Sequence, residues 1–184
     1  SKSYLSGLPT KITHQENLIL QIKQGFFVFD IESHPDENHD FLYGFLDVED
    51  INGKYENFSY EPLLNLTSKN NKISNKHIFS KINSKSTWPI LHYGETEKIS
   101  ILKLAKESNF SKEDIEKLIS RFIDLHLLVR NYWILPIKNY SLKTVANWIG
   151  FEWQQKNVSG SKALFWWIQY KNTHKNLFLE KIIK

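Results

Sequence analysis

The chain has no cysteine and no methionine. Without cysteine there are no disulfides, no thiolate zinc cages, no iron–sulfur clusters and no thiol nucleophile, so any metal chemistry must rest on oxygen and imidazole ligands. Without methionine, even at position 1, the sequence reads as a segment processed or excised from a longer polypeptide. No apolar run approaches the roughly 20 residues of a membrane helix. The longest, near residues 26–29 and 164–168, are short and flanked by polar groups, which predicts a soluble, cytoplasmic protein without a membrane partner. Asn-x-Ser/Thr sequons occur at Asn57 and Asn65, but with no secretory signal they say nothing about glycosylation.

What is present is a chain of 184 residues, enough for one domain with a real core, carrying 6 Trp, 8 Tyr and 12 Phe. Its net charge of +4 is compatible with nucleic acid without demanding it. Residues 1–24 are polar and mixed. They read as a lead-in from a preceding region, with Thr13 and Glu16 spaced as a capping box. Residues 25–184 read as the domain proper.

Residues 26–32 form a nearly continuous apolar and aromatic run, the pattern of a central strand covered on both faces, and residues 33–36 should break it. A second strand is predicted at 41–48 and a third at 55–60, joined by the turn Asn52-Gly53, a strong hairpin signal. A helix is expected near 77–83 and a fourth strand at 88–93, with Pro89 near its start. The next helix should span 95–108, with Ile99, Leu102 and Ala105 on one face and Ile101 and Leu104 at its edge. Ser111 and Asp114 should cap a further helix whose buried side is Ile115, Leu118, Ile119 and Phe122. Residues 122–125 suit either a continuation of that helix or a fifth strand. Ser141 opens a short helix closed by Gly150. Ser159 or Ser161 opens a last helical region with Leu164, Phe165 and Ile168 inward, and 177–184 is helical again. The order predicts an α/β fold, a mixed sheet of an antiparallel three-strand meander plus parallel strands, flanked by helices.

Asp30-Ile31-Glu32 is the sharpest chemical feature. Residues two apart in a strand face the same side, so two carboxylates project together from an apolar strand. Such a pair is costly to ionise unless a cation intervenes, and its oxygens suit Mg²⁺ or Mn²⁺. The competing reading is a strand end where both acids meet water. His92-Tyr93-Gly94-Glu95-Thr96-Glu97 lies at a strand-to-helix turn. Glu97 in the first helical turn can reach back over the sheet edge, or Glu95 and Glu97 simply complement the helix dipole, with His92 a satisfied half-buried imidazole. Asp124 sits inside an apolar stretch, either as a ligand or as an acceptor for a neighbouring loop. Arg121, Arg130, Lys138, Lys143 and His126 could contact phosphates or form a solvated basic face. Trp148, Trp153, Trp166 and Trp167 could stack bases or fill the core.

Three blocks then resemble a known family. Residues 29–35 with 41–44 resemble the first motif of the predicted RecB-family nucleases that carry an RNase H-like domain of the DEDD exonuclease type. Residues 88–98 look like that family's second block, and 135–143 with 150–153 like its third. The resemblance implies a ribonuclease H-like fold and two divalent cations, Mg²⁺ or Mn²⁺, at a site with Asp30, Glu32 and Glu97 as ligands. His92 and Asp124 join the catalytic set, and Tyr93, Lys138, Tyr140, Ser141 and Lys143 would contact nucleic acid. It implies 3′–5′ hydrolysis of DNA or RNA, single-stranded or at an end, in a parent protein with linked nuclease or helicase domains. Two departures stand out: Glu97 replaces an Asp, and the family's last acidic helix has no counterpart here. The rival expectation is therefore a catalytically incomplete module that binds nucleic acid for a partner domain.

Overall fold

A computed structural model describes residues 7–12, 22, 24–66, 72–152 and 160–183. Among these, a five-stranded sheet runs in the order β4 (Lys54–Leu64), β3 (His39–Ile51), β2 (Gly25–His34), β5 (Ile90–His92), β6 (Phe122–Asp124). The first three strands are antiparallel, and β2–β5 and β5–β6 are parallel, which gives the expected meander joined to a parallel half. A separate two-stranded sheet pairs β1 (Thr10–Lys11) with β7 (Trp133–Ile134). The helices are α1 (Lys72–Ser84), α2 (Thr96–Glu107), α3 (Lys112–Ser120), α4 (Leu125–Tyr132), α5 (Leu142–Trp148), α6 (Gly160–Thr173) and α7 (Asn176–Ile182).

The hairpin turn is where the sequence puts it. Asn52 and Gly53 both take positive φ, 55° and 80°, which matches the right-handed twist of the strands on either side. β2 is longer than expected: it runs through Ser33 and His34 before a single 3-10 turn at Pro35–Glu37 stops it. The fourth strand is shorter, because Pro89 lies before it and only Ile90–His92 pair. Residues 122–124 resolve as strand; Arg121 ends the preceding helix, and its guanidinium is spent on the carbonyls of Ile82, Lys85 and Trp88. Arg121 is thus a structural clamp and not a free phosphate contact. The candidate capping pair Thr13–Glu16, together with Trp153 and Ser159, lies outside the described residues.

Along β2, Phe27, Phe29 and Ile31 point to one face, where α1, α2 and α3 cover them. Phe29 stacks on Phe45 at 4.6 Å, and Ile78, Ile82, Ile90 and Ile101 close the core, each side chain contributing about 1.5–3 kcal/mol of apolar burial. The α2 stripe departs from expectation. Glu97, Ser100, Ile101, Leu104 and Ala105 are buried, whereas Ile99 is 59% exposed. The packing is set by Ile101 and Leu104, so the helix is rotated and Glu97 turns inward. α3 is capped as predicted, Ser111 Oγ accepting from Asp114 N at 3.1 Å.

The opposite sheet face carries Leu42 and Leu64, against which α6 and α7 pack through Ala163, Trp167 and Ile182. Of the residues expected to face inward, Leu164 packs against this cluster, whereas Phe165 and Ile168 do not. Trp167 is the buried anchor, stacked on Phe41 at 4.9 Å, while Phe165 and Ile168 face out. A ring of that area dominates the choice of helix face. Among the described residues no helix is long and apolar enough to cross a membrane.

Candidate active site

The parallel pairing of β2 with β5 places His92 beside Phe29, and β5 ends there. The edge of β2 is therefore open at Asp30. Gly94, at φ 110°, turns the chain into α2, and Glu97 in the first turn of that helix enters the gap. Asp30 and Glu97 approach each other closely enough for the charge of one to act on the other. Burial, and then the neighbouring charge of Glu97, raise the Asp30 pKa, although Asp30 keeps an exposed side. Glu32, on the same face two residues on, is pushed up to about 7 by burial first and the charge of Asp30 second. The pair thus holds a proton or wants a cation.

Glu97 is 6% exposed and its Oε2 is buried with no hydrogen-bond partner. The nearest basic atom is His92 Nδ1 at 3.7 Å. That nitrogen lies 2.6 Å from Gly94 O, which can only accept, so Nδ1 carries a proton; Nε2 is also buried and unpartnered. Asp124 stands on the next strand but does not join the acid pair. Its Oδ1 accepts from Gly94 N at 3.0 Å and from His126 N and Leu127 N at 2.8 and 3.3 Å, so it caps α4 and pins the turn that delivers Glu97.

The residues expected to touch nucleic acid form a brace beside this turn. Tyr93 hydroxyl donates to Tyr140 O at 2.6 Å, and Tyr140 hydroxyl in turn donates to Trp133 O and accepts from Leu135 N. Ser141 Oγ caps α5. Lys138 and Lys143 are exposed.

Two groups were not singled out from the sequence. Tyr60 of β4 lies over Gly44, the residue paired with Asp30: a Cβ on Gly44 would come within 3.0 Å of the Tyr60 hydroxyl. Burial and the charges of Asp30 and Glu32 raise the Tyr60 pKa. Asp40 gathers three hydroxyls, from Ser33 at 2.6 Å, from Tyr43 at 3.4 Å and from Ser100. Ser100 is one turn after Glu97, so Asp40 anchors the helix that carries it.

A family model described as RNase_H superfamily, RNase_H_2, matches residues 27–184. The chain belongs to the RNase H superfamily. No curated protein and no solved structure matches it. RNase H-like domains are in general nucleic-acid hydrolases that use divalent metals, so the nuclease-type fold and a nucleic-acid substrate follow at that level. In this RNase H-like chain, the fit to a metal can be judged on its own atoms. The donors are hard oxygens, two carboxyls are crowded together, and Glu97 Oε2 lacks a partner; all three suit Mg²⁺ or Mn²⁺. Among the described residues no three Asp, Glu or His side chains close into a ready cage.

Proposed function

We propose that the chain is the catalytic domain of a metal-dependent exonuclease of the DEDD type, cleaving DNA or RNA from a strand end. The observation that carries this is the contact between Asp30 and Glu97 at the open edge of β2, with an orphaned buried oxygen on Glu97. Asp30, Glu97 and Glu32 would hold two divalent ions, which supply an activated hydroxide and charge neutralisation at the leaving oxygen. His92 lies beside Glu97, its Nδ1 3.7 Å from Oε2 and bonded to Gly94 O, so it braces the turn from which Glu97 enters the site. Asp124 fixes the turn, and Tyr93, Tyr140, Lys138, Ser141 and Lys143 would line the path of the strand. The Glu32 carboxyl, pushed up to about 7 by burial and then by the charge of Asp30, must lose its proton before a cation binds, so activity should rise with pH through about 7.

An end-labelled single-stranded oligonucleotide incubated with Mn²⁺ tests this. Stepwise shortening by the wild-type chain, lost in Asp30→Ala with the fold intact, is the expected result; equal cleavage by Asp30→Ala contradicts it. One observation favours a second reading, a catalytically incomplete binding module. The α6–α7 pair on the Glu32 face contributes a single acid, Glu180, which is exposed. Under that reading the chain binds single strands in EDTA and cleaves none.

A further inference from the structure

The face of the sheet that carries Asp30 and Glu32 continues outward along β4 as exposed aromatic side chains. Tyr55, Phe58 and Tyr60 are 53%, 65% and 51% exposed. A regular strand could not present all three together, because 55 and 58 differ in parity. A bulge at Asn57, φ 53°, solves this. It turns Asn57 to the other face, where its amide donates to Glu49 at 3.0 Å, and brings Tyr55 back beside Phe26, edge to face at 5.3 Å. The row ends at Tyr60, whose ring lies over Gly44 with its hydroxyl close to Asp30 and Glu32.

We propose that Tyr55, Phe58 and Tyr60 form a stacking platform for successive bases of one nucleic-acid strand whose end lies at Asp30. This rests on the nuclease reading above and names the part of the site that holds the substrate. Exposed aromatic rows mark interaction surfaces, and this one is continuous with the acid pair rather than remote from it. Phe58 and Tyr60 are two residues apart on a strand, roughly 6.6 Å, a spacing that suits bases of an extended strand. The occupant is a polyanion: the helical segment packed on the same face carries Lys162, Lys175 and Lys181 against the lone acid Glu180, Lys171 being paired with Glu37. Stacking is tolerant of sequence, so the platform selects single strands over duplexes and not one base over another.

The test is binding of the whole chain, in EDTA, to a single-stranded DNA and the matching RNA, each carrying 2-aminopurine near its 3′ end. Anisotropy gives affinity and 2-aminopurine quenching reports stacking. Phe58→Ala and Tyr55→Ala should each weaken affinity by roughly tenfold and relieve the quenching, and Phe58→Trp should restore both. The salt dependence should keep its slope, since phosphate contacts are untouched. Both side chains are exposed, and melting curves verify the fold. Three results overturn the proposal: no affinity of the wild type for either strand, affinities of both alanine variants within twofold of wild type, or a wild-type dimer split by Phe58→Ala with unchanged strand affinity, which would make the face a contact between copies. Because no metal is present, a failed cleavage assay leaves this result readable, and the two readings fail separately.

Discussion

Replacing Glu32 with Gln should stabilise the metal-free protein at pH 8 and leave it almost unchanged at pH 5. Burial, then the charge of Asp30, lifts the Glu32 carboxyl from 4.5 to about 7. An acid whose folded pKa is raised binds more protons folded than unfolded between those two values. Its contribution is therefore best below pH 4.5 and is lost as pH rises through about 7. At ~1.36 kcal/mol per pH unit that difference is worth at most ~3.4 kcal/mol. Glu32 is half-buried, and solvent screening brings the expected effect to about 2 kcal/mol. Gln keeps the shape and removes the charge, so it recovers that amount at pH 8, or about 4–8 °C for a chain of this size. Urea unfolding of both proteins in EDTA from pH 5 to 8 measures it. The reasoning is refuted if the two proteins differ by the same amount at every pH, or do not differ at pH 8.

Asp30→Asn should likewise raise the melting temperature of the metal-free protein at neutral pH, by relieving its contact with Glu97, while removing Mn²⁺-dependent cleavage; a destabilised Asp30→Asn would contradict the crowding seen here. Gly25→Ala should cost about 3 kcal/mol or more, read as lost soluble yield or a lower melting temperature. A Cβ there would sit 2.4 Å from Val48 O and 2.6 Å from the Trp88 ring, with φ at 146°. Asp40→Ala should cost about 2–4 kcal/mol in urea unfolding, because it strips the acceptor from Ser33, Tyr43 and Ser100. It should also lower cleavage by loosening the helix that carries Glu97.

Much of the fold was legible because its signals are local. Asn52-Gly53 fixes the hairpin, Ser111 and Ser141 fix two helix starts, and the apolar run at β2 marks the central strand. What escaped was set by tertiary choice. The face of α2 depends on how Ile101 and Leu104 fit under β2, which periodicity cannot rank against Ile99 and Leu102. The face of α6 is decided by Trp167 finding Phe41, far away in sequence. Tyr60 is the clearest case. Counting pairs back from the turn would set it opposite Phe45, on the core face; the bulge at Asn57 slips the register by one and sets it opposite Leu46, on the face of Asp30. No motif in the sequence announces that bulge. Of the candidate site residues, Asp30 and Glu32 could be read from strand alternation and Glu97 from its place after Gly94. That Asp124 serves the turn through three backbone N–H groups needed coordinates.

Titration calorimetry of Mn²⁺ into the metal-free protein at pH 6.5, in two buffers of different ionisation enthalpy, addresses the acid pair most directly. The account predicts binding that releases roughly one proton, since Glu32 is largely protonated there, and a loss of at least tenfold in affinity in Asp30→Asn. Binding of Mn²⁺ with equal affinity to wild type and Asp30→Asn, or no binding to either, would contradict it.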